Sequence, residues 1–438
     1  MTPWILDLND LELRVAHGTD TRATGPGYAV VTRERVEVGE PALRLAHLHP
    51  RQTYNRFWSD LGQEPLRTAS PGIRHHADLA FAHLRDLHER AGRPAEALLA
   101  VPGTLSREQL ALLLGIAAAC PLQATGLVDG AVAAAATVAP AGPCVHLDLE
   151  LHRIVITRLD VDVDVVRGPV EAVEEAGLES ILDTCAALVA ETFVRQARFD
   201  PLHGAATEQA LYDALPGWLA TLVDAPDVHA EVPSSGRPRA RLERGAIVER
   251  LAPVYARVRA RLPAATTTCL VSHRLARLPG LLAALPAALV LPVDATLRGC
   301  VLHADRIRSD GRALGHVTRL PAPATPGRPV APIVPTSFAA VPAVPTHLLS
   351  GALARALGPD SAALAPDGAA VAESAAALLL RRDAGGWRAR AAAGHRVAIN
   401  GSVIDGDADL RAGDVLRVDD GAALTLITVL ERDGQAPA

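Results

Sequence analysis

Lysine is absent from this 438-residue chain; all 43 basic residues are arginine. Compositional bias alone can produce that, and the chemical consequence does not depend on its origin. No lysine can touch a phosphate here, so every cationic contact must come from a planar guanidinium fork. Cysteine is scarce as well. Cys120, Cys144, Cys185, Cys269 and Cys300 are odd in number, scattered and set in apolar runs. No CxxC or Cys/His metal spacing occurs, so buried reduced thiols are expected. Neither sign of charge is in large excess. A formal net charge of −6 gives no electrostatic reason to expect nucleic acid or an anionic membrane as partner. Long apolar runs are missing: the stretch 281–293 is broken by prolines and too short to span a bilayer. The first residues carry neither a basic n-region nor an apolar h-region, so no signal peptide is expected and a cytoplasmic location is the default reading.

What is present is enough for a large core, since 49% of residues are hydrophobic and 21% charged. The length suggests two or three domains. Residues 4–8 and 12–16 read as a β-hairpin joined near Asn9 and Asp10, residue types that tolerate turn conformations. Residues 27–32 and 36–50 suggest a strand, a turn and a helix start. The spacing of Ile73, Leu79, Leu84 and Leu87 predicts a helix over 73–90. Residues 97–102 read as a buried strand, and Ser106 to Gln109 as a capping box opening a helix. A β-rich stretch covers 145–166 with a turn near Glu150. Helical patterns follow at 170–197, 204–223 and 239–261, then a strand at 266–272 that enters a helix. This alternation argues for α/β layers. Eight prolines in 321–347 mark an extended linker and a domain boundary. Beyond it, 377–430 alternates short strands with Gly, Asp and Asn turns, the pattern of a small all-β module.

Five segments, at 4–16, 98–123, 126–136, 144–159 and 267–285, follow the order of an actin-like ATPase. Residues 1–320 resemble that superfamily and, within it, the 70-kDa heat-shock chaperones. The family's first phosphate loop, DxG, is matched by Asp7, Leu8 and Asn9; the second, DxGGG, by Asp148, Leu149 and Glu150. Both aspartates are kept and the glycines are gone. The adenosine loop, GGxSxxP, is matched by 271–280, which keeps Ser272 and Pro279, carries His273 and Arg274, and lacks the leading glycines. Ala131 and Ala133 to Ala136 match one connecting helix, and Ala295 to Gly299 the other. Arg239 to Glu243 resembles the chaperones' RARFE helix start. Thr207 to Leu211 resembles the adenine-contacting helix, with Glu208 in the acidic position and Leu211 where the chaperones carry lysine.

The resemblance implies a two-lobed actin-like fold with ribonuclease H-like lobes, followed over 348–438 by the β module. It also implies ATP and Mg²⁺ as cofactors. Asp7 and Asp148 would hold the metal and orient water, and Asn9, Glu150, Glu208, Ser272, His273 and Arg274 would line the nucleotide site. Glu150 would repel the phosphates: at an effective dielectric of ~20, one charge pair at ~4 Å is worth about 4 kcal/mol. Arg14 and Arg153 are the nearest arginines in sequence to the two loops. Hydrolysis is therefore expected to be weak or nil. Two readings stay open: an ATP/Mg-binding, chaperone-like conformational switch, or a non-catalytic actin-fold scaffold that binds partner proteins. A sugar or acetate kinase of the same superfamily would need a sugar-binding Asp motif that is not recognisable here.

The bland alternatives are concrete. Asp7 and Asp148 can simply cap turns, and Glu150 can be a solvated turn residue. His75, His76, His83 and His88 share a predicted helix, but no pair has the i, i+4 spacing of a helical metal site. Ser106 reads as a cap, not a nucleophile. Phe57 and Trp58 read as core rather than a binding platform. Finally, Val397 to Gly401 and Leu410 to Leu416 resemble the last strands of forkhead-associated domains. That resemblance leaves phosphopeptide binding and simple docking both open.

Overall fold

The computed structural model describes residues 2–323 and 345–427, except for 71, 139–141, 234–236, 264–267, 286, 310–313, 351–352, 359, 367–368, 384–385, 401, 405, 411–412, 420 and 422–423. Most of the proline-rich stretch, 324–344, and Gly401, Arg411 and Ala412 of the forkhead-associated-like text thus lie outside the described residues. The protein is mixed α/β and divides into two compact units, Met1–Ala331 and Pro332–Ala438. Among the described residues no helix is long and apolar enough to cross a membrane.

Two six-stranded sheets organise the first unit. In the first, Trp4–Asp7, Leu13–His17 and Asp20–Gly25 form an antiparallel meander. Glu96–Val101 lies parallel to Trp4–Asp7, and Gln123–Asp129 parallel to Glu96–Val101. The second sheet repeats the plan. Gly142–Leu149, Arg153–Val161 and Asp164–Glu174 form the meander, and Thr268–Val271 and Ala288–Val290 add on in parallel.

Side-chain alternation decides where each strand points its chemistry. Leu6 and Leu8 enter an apolar cluster with helices His76–Arg90 and Arg107–Ala119. Ile5 faces the other way, and Asp7 with it. Val145, Leu147 and Leu149 enter a cluster with helices Leu178–Ala197, Ala205–Thr221 and Arg244–Arg259. Cys144, His146 and Asp148 take the opposite face. That opposite face is shared. A third cluster joins Ile5, Leu98 and Val128 of the first sheet to Cys144, Leu159 and Leu270 of the second, with helices Gly130–Ala135 and Ala295–Leu302 in it. Each fully buried Leu or Val contributes about 1.5–3 kcal/mol of transfer free energy, and this core brings Asp7 and Asp148 toward each other.

Several expected elements are present: the helix at His76–Arg90, the strand at Glu96–Val101 and the capping box in which Ser106 accepts from the Gln109 amide. Phe57 and Trp58 are core, and all five cysteines are buried thiols. Two expectations are corrected. Residues 170–174 belong to a strand, and the helix starts only at Leu178. Gly177, the N-cap of that helix, sits so close to the second hairpin that a Cβ there would lie 2.2 Å from the Arg153 amide nitrogen. Residues Arg239–Glu243 are likewise a strand, paired antiparallel with Asp227–Glu231; its alternately exposed and buried residues fit a period of two. The helix follows at Arg244.

The second unit is all-β among its described residues apart from one 3-10 turn at Glu373–Ala375. A six-stranded and a four-stranded sheet enclose a core that includes Leu378, Leu380, Trp387, Val397, Leu416 and Leu426.

Candidate functional site

The site grows from two hairpin tips. At the first, Asp7 pairs with Arg14 across the antiparallel ladder, and the Leu11 amide donates to Asn9 Oδ1 at 2.9 Å, an Asx turn. At the second, the Glu150 amide donates to the Arg153 carbonyl at 3.0 Å. The tips are tied to each other. Asn9 Nδ2 donates to Asp148 Oδ2 and to the Leu149 carbonyl, both at 3.0 Å. The Leu151 amide donates to Asp10 Oδ1 at 2.8 Å. Asn9, at an expected glycine position, and its neighbour Asp10 therefore bridge the two tips with their side chains.

Guanidinium groups take the rest. Arg14 holds Asp7 Oδ2 through Nη2 at 2.5 Å and Nε at 3.1 Å, and gives Nη1 to the Val293 carbonyl at 2.6 Å. Arg153 Nε reaches Glu150 at 2.6 Å. Arg274, buried at 5% exposure, lies between the two aspartates: Nη2 is 3.5 Å from Asp7 Oδ2 and Nη1 3.5 Å from Asp148 Oδ2. Its Nε is 3.6 Å from Glu12. These contacts sit at the outer limit of hydrogen bonding, so charge attraction dominates them. Ser272 is backbone-bound to Leu147, and its hydroxyl accepts from the Leu275 amide, which sets the turn that presents Arg274. His273 Nε2 lies 3.6 Å from Glu12.

The titration pattern follows from burial and these partners. Burial pushes the Asp10 carboxyl up to about 8, Glu150 adds to the rise, and the Leu151 amide and Arg153 oppose it. Burial also raises the Glu150 carboxyl, against the pull of Arg153. At Asp148 burial raises too, but Arg274 and His146 outweigh it and hold the carboxyl below its ordinary range. Burial disfavours charge on Arg274, yet Asp148, Asp7 and Glu12 hold its guanidinium above the usual value. Glu12 is held down, its burial outweighed by His273 and Arg274.

Of the residues expected from the sequence, Asp7, Asn9, Asp148, Glu150, Ser272, His273 and Arg274 converge. Glu208 does not join them. It lies in the first turn of Ala205–Thr221 and meets His47 Nδ1 at 3.3 Å. Asp10, Glu12 and Asp129 were missed. Asp129 caps Gly130–Ala135 through the Ala131 and Val132 amides, and its Oδ2 accepts from Arg167 at 2.9 Å. An Asp at a strand end before a run of small residues is a readable cap signal.

The arrangement does not fit a magnesium–nucleotide complex. The cavity lined by Asp7, Asn9, Asp148 and Glu150 has a volume of about 30 Å³, and its neighbour beside Arg274 about 10 Å³. A water needs ~10–15 Å³, so this is room for a few waters and no triphosphate. The carboxylates that would bind the metal already face guanidinium groups. Among the described residues no three His, Cys, Asp or Glu side chains converge as a metal cage. No protein-family model matches the chain, and no curated protein matches it.

Proposed function

We propose that the first unit is a two-lobed actin-like fold, related to the 70-kDa heat-shock chaperones, that has lost nucleotide chemistry. It serves as a non-catalytic scaffold binding partner proteins through its lobes and the C-terminal β module. The duplicated sheet plan supports the fold. Each sheet has an antiparallel meander whose first strand is extended by two parallel strands, as two ribonuclease H-like lobes would have. One observation carries the loss of chemistry. Arg274, from the loop the resemblance assigns to adenosine, is buried between Asp7 and Asp148 where a metal and phosphates would be needed. Where a nucleotide-driven hinge would have to open and close, side chains of the chain itself bridge the two tips.

Thermal unfolding with and without millimolar Mg-ATP tests this reading. A ligand at 100 times its dissociation constant stabilises by about 2.7 kcal/mol. The expected result is no shift and no phosphate release. A shift that disappears in both Asp7→Ala and Asp148→Ala would return the protein to the ATP-binding switch.

A further inference from the structure

A separate cavity of about 260 Å³ opens between the segment around Tyr28 to His47 and the helices Leu178–Ala197 and Ala205–Thr221. It shares no lining residue with the cavities beside Asp7, Asp148 and Arg274. Leu11, Leu43, Leu151, Leu178 and Leu182 give it apolar walls. Three carboxylates face it: Glu40, Glu179 and Asp213. Glu40 is matched by Arg44 at 3.1 Å. Glu179 is not matched by a cation. Its Oε1 accepts from the Tyr28 hydroxyl and its Oε2 from Asn55 Nδ2 at 2.9 Å, and no ion pair to it occurs among the described residues. Among the described residues, Asp213 accepts from a neutral amide, Gln209 Nε2 at 2.8 Å, and no ion pair to it occurs. Tyr212 and His47, stacked with ring centroids 3.7 Å apart, complete the lining.

We infer that this cavity is a binding site for a small organic cation: an amine carried on an apolar, preferably aromatic, body of about ten heavy atoms. An apolar chamber with few polar anchors is the common form of a small-molecule site. A carboxylate in low-dielectric surroundings with only neutral donors gains most from a charged donor. Tyr212 and His47 stack on each other within the lining, and Asp213 beside them is exposed. With Glu40 paired to Arg44, an anion would still meet the carboxylates of Glu179 and Asp213. Burial raises the Glu179 carboxyl and Asp183 adds to the rise, while the Tyr28 and Asn55 donors and the more distant charge of Arg56 oppose it. The inference stands apart from the scaffold reading, since none of these residues contacts Arg274.

The test uses the full chain and 2-phenylethylamine, with 2-phenylethanol as neutral isostere. At 5–10 mM (a range of about the weak affinity expected of a fragment this size) the amine should raise the unfolding midpoint and the alcohol should not. Glu179→Gln should weaken the amine at least tenfold. Leu43→Phe, which fills the cavity and leaves the carboxylate, should do the same and decides the matter if Glu179→Gln does not fold. The inference is overturned by no response to the amine, by an equal response to the alcohol, or by full amine affinity in either folded variant.

Discussion

A guanidinium shared by buried carboxylates is costly to remove, because its partners stay behind as unpaired charges. Arg274→Met should therefore destabilise the first unit by about 3–5 kcal/mol. Combining it with Asp148→Asn should cost less than the sum of the two single changes, since that pair is coupled. Urea denaturation midpoints read both, and strict additivity would show that the guanidinium does not hold Asp148. Asp10 makes a pH prediction. Its carboxyl is ordinary near 3.8 when unfolded and about 8 when folded. Below the lower value both states are protonated and nothing is lost. Between the two the folded state holds a proton that the unfolded state releases, so stability falls as pH rises, by up to about 1.4 kcal/mol per pH unit. Asp10→Asn keeps the Oδ1 acceptor for the Leu151 amide and should flatten that slope between about pH 4 and 8, as denaturation across the range would record. How such residues are read from sequence depends on distance along the chain. Arg14 is seven positions from Asp7 and Arg153 three from Glu150, so both could be picked out from the hairpins alone. Arg274 meets partners 126 and 267 positions away, and no local pattern carries that.

At the scale of elements, helices Gly130–Ala135 and Ala295–Leu302 approach each other closely at Gly299. A Cβ placed on Gly299 would fall 1.8 Å from the Ala133 carbonyl oxygen. Gly299→Ala must therefore push the helices apart, at a cost of about 1–3 kcal/mol or more for an overpacked contact. The readout is a lower unfolding midpoint, and Gly245→Ala is the control, because nothing lies within 4 Å of its position. An unchanged midpoint would mean that the crossing yields easily. In the sequence, Ala131 and Ala133 to Ala136, and Ala295 to Gly299, are matched to two connecting helices only through the resemblance; the backbone contact itself rests on Gly299 meeting Ala133. The two misread helix starts have a common cause. Residues 170–174 and 239–243 precede true helices, and their Ala, Glu, Leu and Arg content suits a helix as well as a strand. Their strand partners are chosen by tertiary pairing with Arg153–Thr157 and Asp227–Glu231, which propensity cannot see.

At the scale of the whole first unit, the two sheets are joined by more than the carboxylate cluster. Tyr28 and Asn55 both donate to Glu179, the His47 amide donates to Gln209 Oε1 at 2.9 Å, and Gln209 Nε2 donates to the Leu43 carbonyl at 3.1 Å. Arg153 reaches Thr104 at 3.0 Å, and Arg167 reaches Asp129 at 2.9 Å. A ligand moves a two-state equilibrium only as far as it binds the two states differently. On the proposed scaffold reading, tips tied by Asn9 and Asp10 and an interior filled by Arg14 and Arg274 leave a ligand nothing to complete. Hydrogen exchange should therefore find the amides of Leu11, Leu151 and Ser272 equally protected with and without millimolar Mg-ATP. Breaking the internal ties should change that protection where nucleotide does not. Asn9→Gly, which deletes both bonds to the second tip, should raise exchange at Leu151, whose own acceptor is Asp10, by the equivalent of about 1–3 kcal/mol of lost local stability. If Mg-ATP slows exchange in the unmodified protein, closure is ligand-driven and the internal arginines are movable gates. If Asn9→Gly leaves exchange unchanged, the ties between the tips do not hold the sheets together.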